Sequence, residues 1–293
     1  MKMKQDQAQK LRELYQRFNK VKQEKATKVI SITSGKGGVG KSNFAINFAL
    51  GLIEAGQKVV LIDLDIGMAN LEILLGMNPK HHLIDMVKYK KSIWDVMEEG
   101  PNGLKLISGG SGFEEILDLS EDDTNYLFTE LGKLEGQADI ILFDTGAGIS
   151  KESQRCHLAA DEIILVTTPE PTAITDAYSV VKILNHQDSN IHVRLVVNRV
   201  QNANEGIAIA NRVRMVTKQF LEKEIDVLGF LPNDSLVFQS VLEQSPFYLK
   251  YPKSQPAKWM KDMVNIYLNV DSNNANITGI KGFIQRLSQF VKK

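Results

Sequence analysis

The stretch TSGKGGVGKSNFA, Thr33 to Ala45, constrains the fold more than any other feature of this chain. Gly35-Lys36-Gly37-Gly38-Val39-Gly40-Lys41-Ser42 fits G-x-x-x-x-G-K-[ST]; it follows a Val/Ile-rich run and opens a helical pattern at about Gly40. In that setting glycines let backbone N–H groups converge on phosphate oxygens, and the helix N-terminus adds a favourable dipole. Lys41 then neutralises the β- and γ-phosphates, and the Ser42 hydroxyl ligates Mg²⁺. Lys41 alone satisfies the pattern, so Lys36 is left over.

Around this loop, short apolar runs alternate with longer helical stretches. The strand candidates are KVISIT (28–33), KVVLID (58–63), LKLIS (104–108), ADIILFD (138–144), EIILVTT (162–168), HVRLVVN (192–198) and DVLGFL (226–231). Runs this continuously apolar belong in strands covered on both faces. The expected class is therefore α/β, a mainly parallel twisted sheet with helices on both faces. Helices fit at 41–55, 122–135, 172–186 and 204–223, and Trp94 and Trp259 read as packing residues on helices. The expected division is an N-terminal tail (1–25), a P-loop domain (26–270), a polar linker (271–276) and a C-terminal amphipathic helix (277–293).

Two further sites fall where open α/β sheets bind ligands, just past the carboxyl ends of strands. VVLIDLDIG places Asp63 and Asp65 there, and ADIILFDTGAG places Asp144, with Gly146 and Gly148 freeing the segment that follows. Asp144 suits a water-mediated contact to Mg²⁺. VVNRV ends a strand with Asn198, whose amide can pair with an adenine N6 donor and a ring acceptor, or can simply cap the strand. No N-K-x-D guanine reader is present, which favours ATP. The five histidines lack metal-ligand spacing, and a single cysteine, Cys156, excludes a disulfide framework or a cysteine-held cluster within one chain. That cysteine usage fits a reducing cytoplasm, and no early apolar run resembles a signal peptide.

Lys36-Gly37-Gly38-Val39-Gly40-Lys41-Ser42 matches K-G-G-x-G-K-[ST], the deviant Walker motif. The chain resembles the MinD/ParA class of P-loop ATPases over about 29–270, including LIDLDIGMANLEILLG, DTGAGI, TTPEPTAITDAY and VVNRV. DIGMANLEILLG and the C-terminal helix favour the MinD branch over the DNA-partitioning branch. The resemblance implies ATP hydrolysis with Mg²⁺, and an ATP-dependent homodimer in which Lys36 reaches the partner's phosphates. A cation supplied in trans stabilises charge developing on phosphate oxygens, as an arginine finger does. It implies that Asp65 positions the attacking water and that Ser42, Asp63 and Asp144 surround the metal. Gly35 to Asn43 would hold the phosphates, and Asn198, Arg199 and Pro232 would line the adenine pocket.

The ends differ from the body in charge. Residues 1–28 carry +6 and 272–293 carry +4, so a neutral chain leaves −10 on the middle. The body is thus a poor general binder of nucleic acid, and none is expected as a specific partner. At the C-terminus Ile277, Ile280, Phe283, Ile284, Leu287, Phe290 and Val291 share one helical stripe bordered by basic residues. The pattern reads as an interfacial membrane helix, with docking on the protein's own core as the competing use. At the N-terminus Asp6-Gln7-Ala8, Leu11 and Arg12 form D-Q-A-x-x-L-R, which resembles the tail of the FlhG group of MinD-like flagellar-number regulators. That resemblance implies that residues 5–24 engage and stimulate an FlhF-type GTPase, with flagellar basal-body components as further candidates. It also places the protein in the cytoplasm, reversibly peripheral on the inner face of the cell membrane. A cell-division or DNA-positioning ATPase of the same class is the alternative. A metal-cluster carrier on the same loop finds little support in one cysteine.

Overall fold

The computed structural model describes residues 26–65, 70–109, 120–271 and 278–291. The D-Q-A-x-x-L-R residues Asp6, Gln7, Ala8, Leu11 and Arg12, and nearly all of the linker, lie outside them. The described strands are β1 (Lys28–Ser34), β2 (Val59–Leu64), β3 (Glu98–Glu99), β4 (Lys105–Ile107), β5 (Ile140–Thr145), β6 (Glu162–Thr167), β7 (Val193–Val200) and β8 (Asp226–Pro232). They form one sheet in the order β3-β4-β2-β5-β1-β6-β7-β8. Every described pairing is parallel except β3 with β4. The two-residue β3 is too short for a periodicity to reveal, and it escapes the sequence reading.

β1, β2, β5 and β6 are buried along their whole lengths, which explains their unbroken apolar runs. Alternate residues serve opposite layers. Ile30, Ile32, Leu61, Leu142 and Ile164 face a core closed by helices Lys41–Glu54 and Gln255–Asp271. Val29, Val60, Ile62, Ile141 and Phe143 face a second core, which also contains Ile280 and Phe283. Ile163, Leu165, Leu195 and Val197 pack under helices Pro171–Gln187 and Ala203–Leu221. Trp259 packs against the core, whereas Trp94 is about half exposed and is no packing anchor.

The C-terminal helix, Gly279–Val291, lies on the body rather than apart from it. Ile280 and Phe283 are fully buried, and the Phe283 ring stacks on Phe143 at 4.8 Å. Ile284 and Leu287 pack on the same core and Phe290 on its neighbour. The stripe read as a lipid-facing surface is thus turned onto protein here, because the same apolar pattern satisfies either environment. No helix of the described residues is long and apolar enough to cross a membrane.

Candidate nucleotide site

β1 sits in the middle of the sheet, between β5 and β6, so its carboxyl end opens where the strand order reverses. The loop after Ser34 runs to Lys41, the first residue of the helix. Two of its glycines are dictated by space. A Cβ on Gly35 would lie 2.4 Å from the Asp176 backbone carbon, and one on Gly40 would lie 2.4 Å from the Asn198 amide nitrogen. Gly40 also adopts φ +91°, which side chains disfavour. The Asn198 Nδ2 donates to the Val39 carbonyl at 2.8 Å, so this residue braces the loop. Its Oδ1 accepts the Arg199 N–H at 2.9 Å. One N–H and one lone pair are left for a base.

The parallel register sets Asp63 of β2 beside Asp144 of β5, and Ile32 of β1 beside Asp144 on its other flank. Lys41, nearly buried, donates from Nζ to Asp144 Oδ1 at 2.6 Å. The same Nζ lies 3.4 Å from Ser42 Oγ and 4.0 Å from Asp65 Oδ2. Asp63 accepts the Asp65 N–H on Oδ1 at 2.9 Å. Burial, and then the Asp144 charge alongside, push the Asp63 carboxyl up to about 7. Burial also raises Asp65. Asp63 Oδ2 and Asp144 Oδ2 are buried and carry no hydrogen bond. Two under-satisfied carboxylate oxygens, with the Ser42 hydroxyl linked to Asp144 through Lys41 Nζ, are a hard-oxygen set that suits Mg²⁺. Among the described residues no group of three or more His, Cys, Asp or Glu could hold a metal alone, so phosphate oxygens or waters would have to complete the shell of any Mg²⁺ bound here.

Lys41, Ser42 and Asp65 border a cleft of about 1050 Å³ that Gly37, Gly38, Gly40 and Asn43 also line at its loop end, whereas Asp63 and Asp144 lie buried behind it. Asn198, Arg199 and Pro232 line it farther along, with Val237, Phe238 and Phe247 adding apolar wall. Val39 is buried behind the loop. Lys36 does not itself line the cleft but reaches Glu170, which does. Its Nζ donates to Glu170 Oε2 at 2.8 Å and to Thr172 Oγ1 at 3.3 Å, on the exposed rim. The Lys36 hydrogen bond holds the Glu170 carboxyl below its usual range. The sequence reading gave Glu170 and Thr172 no role. The available signal was their place just past the end of β6, the sheet edge that carries Asp63 and Asp144.

Two further buried groups lie near the site. His157 Nδ1 lies 2.8 Å from Ser31 Oγ, and burial lowers the imidazole to about 3, so it is neutral near pH 7. Cys156 is buried, and burial raises its thiol to about 12, which leaves it a poor nucleophile.

Residues 25–267 match the family model described as ParA, NUBPL iron-transfer P-loop NTPase. The antiactivator FleN of Pseudomonas aeruginosa is 34% identical over 264 residues, 89% of this chain and 93% of that one. The flagellum site-determining protein YlxH of Helicobacter pylori is 34% identical over 269 residues, covering 90% and 91%. Among solved structures, the fold is shared with MinD of the Aquifex aeolicus MinC:MinD complex, with a TM-score of 0.67 and 24% identity over 86% of this chain and 99% of that one. It is shared equally with Pyrococcus horikoshii MinD complexed with Mg-ADP, with a TM-score of 0.67 and 24% identity over 86% and 100%. From its loop, its paired strand-end aspartates and these matches, the chain belongs to the ParA/MinD family of P-loop NTPases.

Proposed function

We propose that this protein is a MinD-like ATPase switch that controls flagellar number or placement, holding ATP and Mg²⁺ in the cleft above β1. The loop N–H groups and Lys41 bind the phosphates, and Ser42 ligates the metal while Asp63 and Asp144 orient its shell. Lys41 must exchange Asp144 for phosphate, which frees the Asp144 carboxylate to face the metal. Asp65, at the cleft wall, orients the attacking water. Asn198, Arg199 and Pro232 border the base. Two loaded chains pair, each Lys36 reaching the other's phosphates, so that turnover depends on association.

The observation that carries the switch is the stacking of Phe283 on Phe143, the residue immediately before Asp144. The C-terminal helix also contacts helix Lys151–Ala159, which follows the DTGAGIS segment. A change at Asp144 on nucleotide binding therefore acts on the seat of this helix. Once released, Ile280, Phe283, Ile284, Leu287, Phe290 and Val291 offer an apolar face to lipid, with Lys281 and Arg286 beside it. One such helix binds weakly, and two in a dimer bind far better through raised effective concentration. The similarity to FleN and YlxH, together with D-Q-A-x-x-L-R, supports a flagellar role and stimulation of an FlhF-type GTPase by residues 5–24. The iron-transfer description of the family model finds no support in a chain whose only cysteine is buried.

Flotation with anionic vesicles tests the reading. The full chain should float with Mg²⁺ and a non-hydrolysable ATP analogue and stay down with ADP, and a 1–275 truncation should never float. Equal flotation in both nucleotides would refute the switch. Deleting 1–25 should spare nucleotide binding and abolish GTPase stimulation; a full chain that stimulates no such GTPase would point to the cell-division or DNA-positioning alternative, and stimulation unchanged by the deletion would remove the tail from this role.

A further inference from the structure

Lys36 cannot serve its own subunit and a neighbour's phosphate at the same time. Here it is held at home. Its ammonium bridges Glu170 Oε2 and Thr172 Oγ1, two acceptors placed side by side by the turn after β6. The placement follows from packing: Gly35 abuts the Asp176 backbone so closely that a Cβ would collide with it. The Lys36 arm of the loop therefore rests on the first turns of helix Pro171–Gln187. Glu170 occupies the N-cap position of that helix, yet its side chain makes no capping hydrogen bond. Its carboxylate is spent on the lysine and not on the helix.

We propose that Glu170 is a hold on Lys36 in cis, a positioning residue that keeps this cation on its own subunit until a triphosphate on a second copy draws it away. The inference rests on the reading that Lys36 acts across a nucleotide-bridged pair, and it adds the resting partner that the lysine must leave. The hold is built to be weak. Lys36 and Glu170 side chains are 42% and 54% exposed, in contrast to the buried Lys41–Asp144 pair. An exposed pair shifts an equilibrium by roughly 1.4- to 5-fold. Two such pairs break for each dimer formed, so the hold opposes dimerisation by about 2- to 30-fold. That tunes the protein concentration at which pairing begins without blocking it.

Sedimentation velocity of the full chain with Mg²⁺ and a non-hydrolysable ATP analogue tests the hold. Wild type, Glu170→Gln and Lys36→Ala are compared at about 0.1 M and 1 M salt. Glu170→Gln should dimerise about 2- to 30-fold more tightly at the lower salt, and the gain should fade at the higher, where screening reaches about 3 Å. Unchanged or weaker dimerisation of Glu170→Gln, with Lys36→Ala monomeric, overturns the hold and leaves the trans role standing. A gain that persists undiminished in 1 M salt also overturns it, since the hold is electrostatic. Lys36→Ala pairing like wild type overturns the trans role, and the hold with it.

Discussion

Asp161 is the residue whose loss should most sharply uncouple the C-terminal helix from nucleotide. Its side chain is almost wholly buried and fastens both parts of that helix to the body. Oδ1 accepts the Thr278 N–H at 3.1 Å, the Thr278 hydroxyl at 2.6 Å and the Arg286 guanidinium at 3.1 Å. Oδ2 accepts the Val29 N–H of β1 at 3.0 Å. Hydrogen bonds to a charged group are worth about 1.5–3 kcal/mol each, and those to partly exposed donors fall at the low end. With one solvent-replaceable donor discounted, Asp161→Ala should loosen the helix by about 2–3 kcal/mol. That multiplies the population of the detached helix roughly 30- to 150-fold. Arg286 keeps its bonds to the Ala159 carbonyl, so the seat is weakened without being abolished. Hydrogen exchange in ADP reads this directly: amides of 279–291 should exchange faster by about that factor, while those of β5 and β6 change less than about 10-fold. The variant should also float with vesicles in ADP. Unchanged protection over 279–291, or an equal loss there and in the central strands, would refute the latch.

Lys41→Met should lower Mg-ATP affinity at least about 100-fold by calorimetry, and it should destabilise the empty protein by about 3–5 kcal/mol because Asp144 is left buried and unpaired. Asp65→Ala should give a persistent dimer whose phosphate release is slower by about 100-fold or more; rapid turnover would remove Asp65 from its assigned role. His157 titrates in the folded protein at about 3, below its unfolded value of about 6.5, so the neutral form is the one that folds. Its contribution is full above about 6.5 and is lost as pH falls towards 3, by up to about 5 kcal/mol. His157→Gln should flatten that part of the acid-denaturation curve, and an unchanged slope would show that His157 does not set it.

What could be read directly from the chain was whatever local pattern determines. β1, β2, β5 and β6 announced themselves because burial on both faces demands unbroken apolar runs, and the loop glycines and strand-end aspartates sit at spacings fixed by short-range geometry. Helix Lys151–Ala159 was harder to see, since its sequence KESQRCHLA is mostly polar and gives little apolar periodicity. The Lys36–Glu170 contact spans 134 residues and exists only because β1 and β6 are neighbours, a fact of topology that no spacing encodes. The Asn198 amide likewise found the Val39 carbonyl, 159 residues away. The C-terminal stripe was legible as amphipathic, but Ile280 and Phe283 satisfy a protein core as readily as a bilayer. Only the packed structure shows which one holds them.

The central claim is that the triphosphate itself brings two chains together. Light scattering on the full-length wild type, in Mg²⁺ with ADP and then with a non-hydrolysable ATP analogue, tests it most directly. The predicted result is the mass of one 32.8 kDa chain in ADP and of two in the analogue. A single-chain mass in the analogue, at concentrations well above that needed to saturate the site, would contradict the account.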